Sequence, residues 1–241
     1  MKFTVLETPL AVAEQAAALL AEVLLDPSRA PSGLATGRTM VAVYGCLVSL
    51  LQKAGINNLS HWRSFNLDEY VGLGPGDKRS FAAYMDLHLG QPLAIPPTSM
   101  LLPNGLAPNP TLEAARYSQQ VQSQGIGLQL LGLGENGHVG FNEPPCGATA
   151  PCRCVLLSEA TRAQNAEAFG GQLLAVPERA ITLGIADILA ADELLLVVTG
   201  ANKSAVLRRL LEEPAQEALP ASWLQSHPNC LVLADRAAAN F

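Results

Sequence analysis

Apolar positions in this chain switch between two periodicities. Leu10, Ala13, Ala16, Leu20 and Val23 recur every three or four residues, which lines one face of a helix. Thr8-Pro9, just ahead of them, reads as an N-cap with proline in the first helical position. The same spacing predicts helices over residues 39–53, 80–89, 109–123 and 202–211. Between them lie short apolar runs that read as strands: 2–7, a short one ending near Ala35, 64–66, 128–133, 180–183, 194–199 and 231–233. Near-continuous Leu/Val strands separated by amphipathic helices predict one α/β domain over residues 1–241. Its sheet would be mostly parallel and covered by helices on both faces.

In such a sheet a ligand sits beyond the carboxyl ends of the strands, so the residues just after each strand are the candidates for chemistry. Gly33-Leu34-Ala35-Thr36-Gly37-Arg38-Thr39 runs from a strand through a glycine turn into a helix. Exposed N–H groups, the helix dipole and the Thr36 and Thr39 hydroxyls suit it to an anion such as phosphate. An ordinary tight turn capped by threonine is the plainer reading of that segment alone. Asp68 and Glu69 follow the 64–66 strand, and a carboxylate there, partly withdrawn from water, is suited to proton transfer. Solvated loop charges or a metal site are the alternatives.

The stretch Gly132-Leu133-Gly134-Glu135-Asn136-Gly137-His138-Val139-Gly140-Phe141-Asn142-Glu143 is dense in glycine, which lets backbone approach a ligand closely. His138 is its one group that titrates near neutrality, flanked by Asn136 and Glu143 as candidates to fix its tautomer. Two cations complete the set. Lys203 lies at a helix start, where the dipole disfavours it unless an anion binds alongside, and Arg162 lies in Thr161-Arg162-Ala163-Gln164-Asn165. Taken one at a time, either is equally well a surface cation.

Composition narrows this further. Of 241 residues, 49% are hydrophobic and only 15% charged, which excludes a disordered chain. Lys and Arg total 15 against 21 Asp and Glu, a net charge of −6 that argues against a nucleic-acid partner. No apolar run approaches the roughly 18 residues of a membrane span. Five cysteines, an odd number, with no secretory pattern at the N-terminus, point to free thiols in the cytoplasm. Cys146, Cys152 and Cys154 near His138 do not match the usual zinc-ligand spacings, so no metal is expected. From residues alone the reading reaches a sugar-phosphate-sized ligand and proton transfer, and stops there.

Phe65-Asn66-Leu67-Asp68-Glu69-Tyr70-Val71-Gly72-Leu73, together with Gly132 through Pro144, closely resembles the signature segments of glucosamine-6-phosphate deaminases. The resemblance continues through Ala35-Thr36-Gly37, Thr161-Arg162, Val176-Pro177, Ala180-Ile181-Thr182, Lys203 and Leu224-Gln225-Ser226-His227-Pro228. It implies a Rossmann-like fold and a cofactor-independent aldose–ketose isomerisation, in which glucosamine 6-phosphate and water become fructose 6-phosphate and ammonia. On this resemblance, His138 opens the sugar ring, oriented by Asn136 and Glu143. Asp68 moves the proton from carbon 2 to carbon 1. Thr36, Gly37, Arg38, Thr39, Gly137, Arg162 and Lys203 contact substrate, with Glu69 beside Asp68.

Asn136 stands where many relatives carry Asp, so Glu143 is expected to hold up the His138 pKa. Arg38 and Met40 replace the small residue and proline common in the phosphate turn. The chain ends at Phe241 without the longer tail of allosteric relatives, which implies a non-allosteric monomer or small homo-oligomer. Alternatives within reach of the resemblance are a galactosamine-6-phosphate deaminase/isomerase and a 6-phosphogluconolactonase. More remote is a non-catalytic sugar-phosphate sensor.

Overall fold

A computed structural model describes residues 1–56, 59 and 61–241. The strands are β1 (Lys2–Leu6), β2 (Ser32–Leu34), β3 (Ser64–Asn66), β4 (Asp68–Tyr70), β5 (Met100–Leu101), β6 (Leu128–Gly132), β7 (Arg153–Leu156), β8 (Arg179–Thr182), β9 (Glu193–Val198) and β10 (Cys230–Asp235). Seven of them form a parallel sheet in the order β1-β10-β9-β6-β2-β3-β5. Successive residues of a strand face opposite sides of a sheet. Every residue of Leu194–Val198 in β9 is at most 1% exposed, so both faces are covered at the centre of the sheet, as the apolar runs predict, whereas the edge strand β1 is exposed from Lys2 to Val5.

The main helices are α1 (Pro9–Leu25), α2 (Arg38–Lys53), α3 (Phe81–Met85), α4 (Gln91–Leu93), α5 (Pro110–Gln124), α6 (Glu159–Asn165), α7 (Ile185–Leu189) and α8 (Ser204–Glu212). Thr8 caps α1 as expected, its Oγ1 accepting from the Ala11 N–H at 3.1 Å with Pro9 at the first position. The expected helix over 80–89 is α3 continued by a π-helical turn, Asp86–Gly90, into α4. The expected helix from 202 begins instead with a 3₁₀ turn, Ala201–Lys203, before α8. No described helix is long and apolar enough to cross a membrane.

One strand departs from the expected arrangement. Residues 180–183 do not join the parallel sheet; β8 pairs antiparallel with β4 and β7 in a separate three-stranded sheet. The chain leaves the main sheet at Leu67. Its N–H still donates to Leu34 of β2, while its carbonyl accepts from Leu183, just past β8. Asp68, Glu69 and Tyr70 then pair with Thr182, Ile181 and Ala180. The small sheet carries a second core of Tyr70, Leu73, Phe141, Leu157, Ala166, Phe169, Val176 and Ala180, distinct from the main one.

Candidate active site

Two backbone devices bring polar groups to the carboxyl ends of β2, β6 and β9. After β2, Gly37 takes φ 114°, a conformation that favours glycine, and starts α2 with no side chain capping it. The helix dipole and first N–H groups are thus left to serve an anion. After β6, Gly134, Gly137 and Gly140 fold the loop back on itself, with the Gly134 N–H donating to the His138 carbonyl at 2.9 Å. A cavity of about 230 Å³ lies where these turns meet β4 and α6. Thr36, Gly37, Arg38, Thr39, Asp68, His138 and Lys203 all line it, seven of the residues singled out in the sequence.

The orientation of the imidazole is set by Asn136. The Asn136 Oδ1 accepts from the His138 backbone N–H at 3.1 Å, which identifies it as the oxygen, and meets the ring Nδ1 at 2.6 Å. An oxygen there requires the proton on Nδ1, so Nε2 is left as the free base. Burial pushes the His138 pKa below the ordinary imidazole value, with Lys203 adding to the fall, while Glu143 and Glu135 oppose it. Glu143 is, as expected, the largest effect holding this pKa up, but desolvation outweighs it and the net shift is downward. Glu143 also accepts from the Ser158 N–H, at the N-cap of α6, at 3.3 Å.

Asp68 is 5% exposed. Burial, helped by the adjacent Glu69 charge, raises its pKa to about 8. The loop after β6 presses against it, since a Cβ on Gly140 would lie 3.3 Å from Asp68 Oδ2. Lys203 keeps a side chain only 19% exposed, and burial lowers its pKa. Its nearest carboxylate is Glu135, 3.9 Å away, which Asn202 Nδ2 also holds at 2.7 Å. Arg38 is 85% exposed and loosely paired with Glu167 at 3.7 Å, so it forms the rim rather than the floor.

Three expected contacts lie elsewhere. Glu69 does not line this cavity: its Oε1 accepts from the Tyr70 and Phe81 N–H groups at 2.8 and 3.0 Å, its Oε2 from Ala82 at 2.9 Å. It therefore anchors the start of α3, and burial pushes its pKa up to about 7 against those bonds. Glu69→Ala should cost about 2–4 kcal/mol of stability in chemical denaturation, because three N–H groups lose their acceptor. Arg162 points away, donating to the Val176 and Leu173 carbonyls, both at 3.2 Å. Gly137 serves the turn, at φ 87°, and packs on Leu219 so closely that a Cβ would meet it at 2.2 Å. In their place Phe81, Phe141, Gln164 and Asn165 line the cavity. The two polar ones, Gln164 and Asn165, follow Arg162 closely and were missed from the sequence, where their polar side chains beside a cation were the only signal.

An anion-suited turn, a lysine, a buried acid and an imidazole thus meet around one cavity, a site equipped to hold an anion and to move a proton. The family profile described as glucosamine-6-phosphate isomerases/6-phosphogluconolactonase matches residues 7–233, and the chain belongs to that family. The chain is 41% identical over 230 residues to a glucosamine-6-phosphate deaminase of Shouchella clausii, covering 95% of this chain and 92% of that one. It is 36% identical over its whole length to one from Hahella chejuensis, 91% of which is covered. Among solved structures, a monomeric glucosamine-6-phosphate deaminase superposes with a TM-score of 0.94 at 37% identity, covering 100% of this chain and 99% of that one. A 6-phosphogluconolactonase from Trypanosoma cruzi gives 0.77 at 18% identity, covering 99% and 96%, a likeness of fold alone.

Proposed function

We propose that this protein is a glucosamine-6-phosphate deaminase, converting glucosamine 6-phosphate and water to fructose 6-phosphate and ammonia. The observation that carries the reading is the meeting of Asp68, His138 and Lys203 on one cavity, beside the uncapped start of α2. The relatives named above support the substrate.

The free Nε2 of His138 takes the anomeric hydroxyl proton and returns it to the ring oxygen, opening the pyranose. A depressed imidazole pKa keeps the ring neutral and able to accept that proton. Asp68 removes the proton from carbon 2 while the substrate's ammonium gives one to oxygen 1, leaving an enolamine between carbons 1 and 2; Asp68 then delivers its proton to carbon 1, which makes carbon 2 an iminium. Water then adds at carbon 2 and ammonia leaves. A carboxylate whose pKa is raised toward 8 by burial is a stronger base than an exposed one, as abstraction from carbon requires.

Thr36, Gly37, Thr39 and Lys203 hold the phosphate, with Arg38 at the rim. Binding energy from the non-reacting end thus places carbons 1 and 2 between acid and imidazole. Asn136 and Glu143 act through His138. The whole of 1–241 works as one sugar-phosphate domain, monomeric or a small homo-oligomer, in the cytoplasm; free thiols at all five cysteines support that compartment.

A coupled assay for ammonia and fructose 6-phosphate with purified protein tests the reading. Preference for the galacto epimer would redirect it, and lactone hydrolysis without ammonia release would overturn it. Lys203→Ala should raise KM at least about tenfold with a much smaller change in kcat, since the phosphate contact is shared by ground and transition states. Steady-state kinetics checks this, and an unmoved KM would take Lys203 out of the phosphate site.

A further inference from the structure

Two tyrosine hydroxyls take hold of the turn that precedes α2. Tyr44, fully buried within α2, donates to the Ala35 carbonyl. Tyr84, on α3, donates at 2.9 Å to the Gly37 carbonyl, which also accepts from the Met40 N–H at 3.1 Å. A trans peptide sets its C=O and N–H on opposite sides of one plane. Tying back the Ala35 carbonyl therefore fixes the direction of the Thr36 N–H, and tying back the Gly37 carbonyl fixes that of Arg38. Both N–H groups belong to residues that line the cavity.

The hydroxyls have little freedom to swing away. The two rings pack edge to face with centroids 6.4 Å apart, and Tyr84 also lies against His88 at 4.4 Å. The placement of Tyr84 goes back in turn to Glu69, whose carboxylate anchors the start of α3. The strand bearing Asp68 and the turn before α2 are thus registered to each other through one short helix.

We propose that Tyr44 and Tyr84 are positioning residues that preset the donors of this turn for an incoming phosphate. The proposal rests on reading the cavity as a sugar-phosphate site. Neither residue is among those that line the cavity. They remove the reorganisation that the turn would otherwise undergo on binding, so their contribution falls on affinity for the phosphate end.

Tyr84→Phe and Tyr44→Phe each keep the ring and delete one O–H. In each, KM for glucosamine 6-phosphate and the dissociation constant of inorganic phosphate, measured by calorimetry, should rise together about threefold to tenfold, with kcat much less affected. A lower melting temperature with both constants unmoved would mean that the hydroxyls only satisfy buried carbonyls, and would overturn the proposal. So would a fall in kcat at constant KM. Tyr84 is half-buried and its variant carries the test if the fully buried Tyr44→Phe does not fold. The parent protein, run alongside, separates the two readings. If it releases no ammonia the functional assignment fails, whereas phosphate affinity still reports on the tyrosines.

Discussion

Replacing Asp68 by Asn should lower kcat by at least about a thousandfold while sugar-phosphate affinity stays within a few-fold, because the amide keeps the shape but cannot accept the carbon-bound proton. Binding lost with turnover retained would contradict the base assignment. The same substitution should stabilise the protein in alkaline solution. The folded pKa of Asp68, about 8, lies above its ordinary value of 3.8, so between those values the folded protein holds a proton that the unfolded chain releases. Stability therefore falls as pH rises through this window. Asn carries no such proton. The variant's melting temperature should exceed the parent's by several degrees at pH 8, and the gap should close toward pH 4. Glu69, shifted in the same direction, is common to both proteins and largely drops out of the difference. In the parent, kcat/KM should climb with pH through a half-maximum near 8 and level off about a unit above it, as Asp68 ionises and His138 is already neutral.

Gly134→Ala should lower kcat by at least about a hundredfold, the loss expected when one general acid–base group is displaced. A Cβ at Gly134 would lie 2.2 Å from His138 Cε1, 2.3 Å from Nδ1 and 2.4 Å from Nε2, far inside contact distance. The ring has to leave, and its bond to Asn136 goes with it. The melting temperature should change by only a few degrees, since His138 and Asn136 lie in a partly open loop rather than in either core. Kinetics and the imidazole NMR resonances of the variant test this together. Full activity with unshifted resonances would mean that the ring is not seated against Gly134.

Much of this site was legible because its parts follow apolar strands directly. His138 and Lys203 each come after an apolar run that reads as a buried strand, Thr36 to Thr39 after the shorter Ser-Gly-Leu of β2, and glycine marks the turn beyond each. The second sheet was not legible. Strand β4 is Asp-Glu-Tyr and β7 is Arg-Cys-Val-Leu, sequences with no strand signal of their own, and it is pairing with β8 that makes them strands. Missing β4 also explains the misplacing of Glu69. Read as a loop, Asp68 and Glu69 look like one dyad; as a strand, consecutive side chains face opposite ways, one to the cavity and one to α3. Arg162 failed for a similar reason on α6, where its guanidinium meets the carbonyls of 173 and 176 while Gln164 and Asn165 take the cavity side.

Asp68 grows from a strand packed partly over the lesser core, whereas the turn before α2 is founded on the greater one. Amino-acid changes around Phe169 would nevertheless reach both ends of the cavity: through Tyr70 to the strand carrying Asp68, and through Phe81 and α3 to the Tyr84 hydroxyl at the helix start beside Thr36. An evolving lineage that repacked the lesser core would thus shift the two ends of the cavity together rather than one at a time.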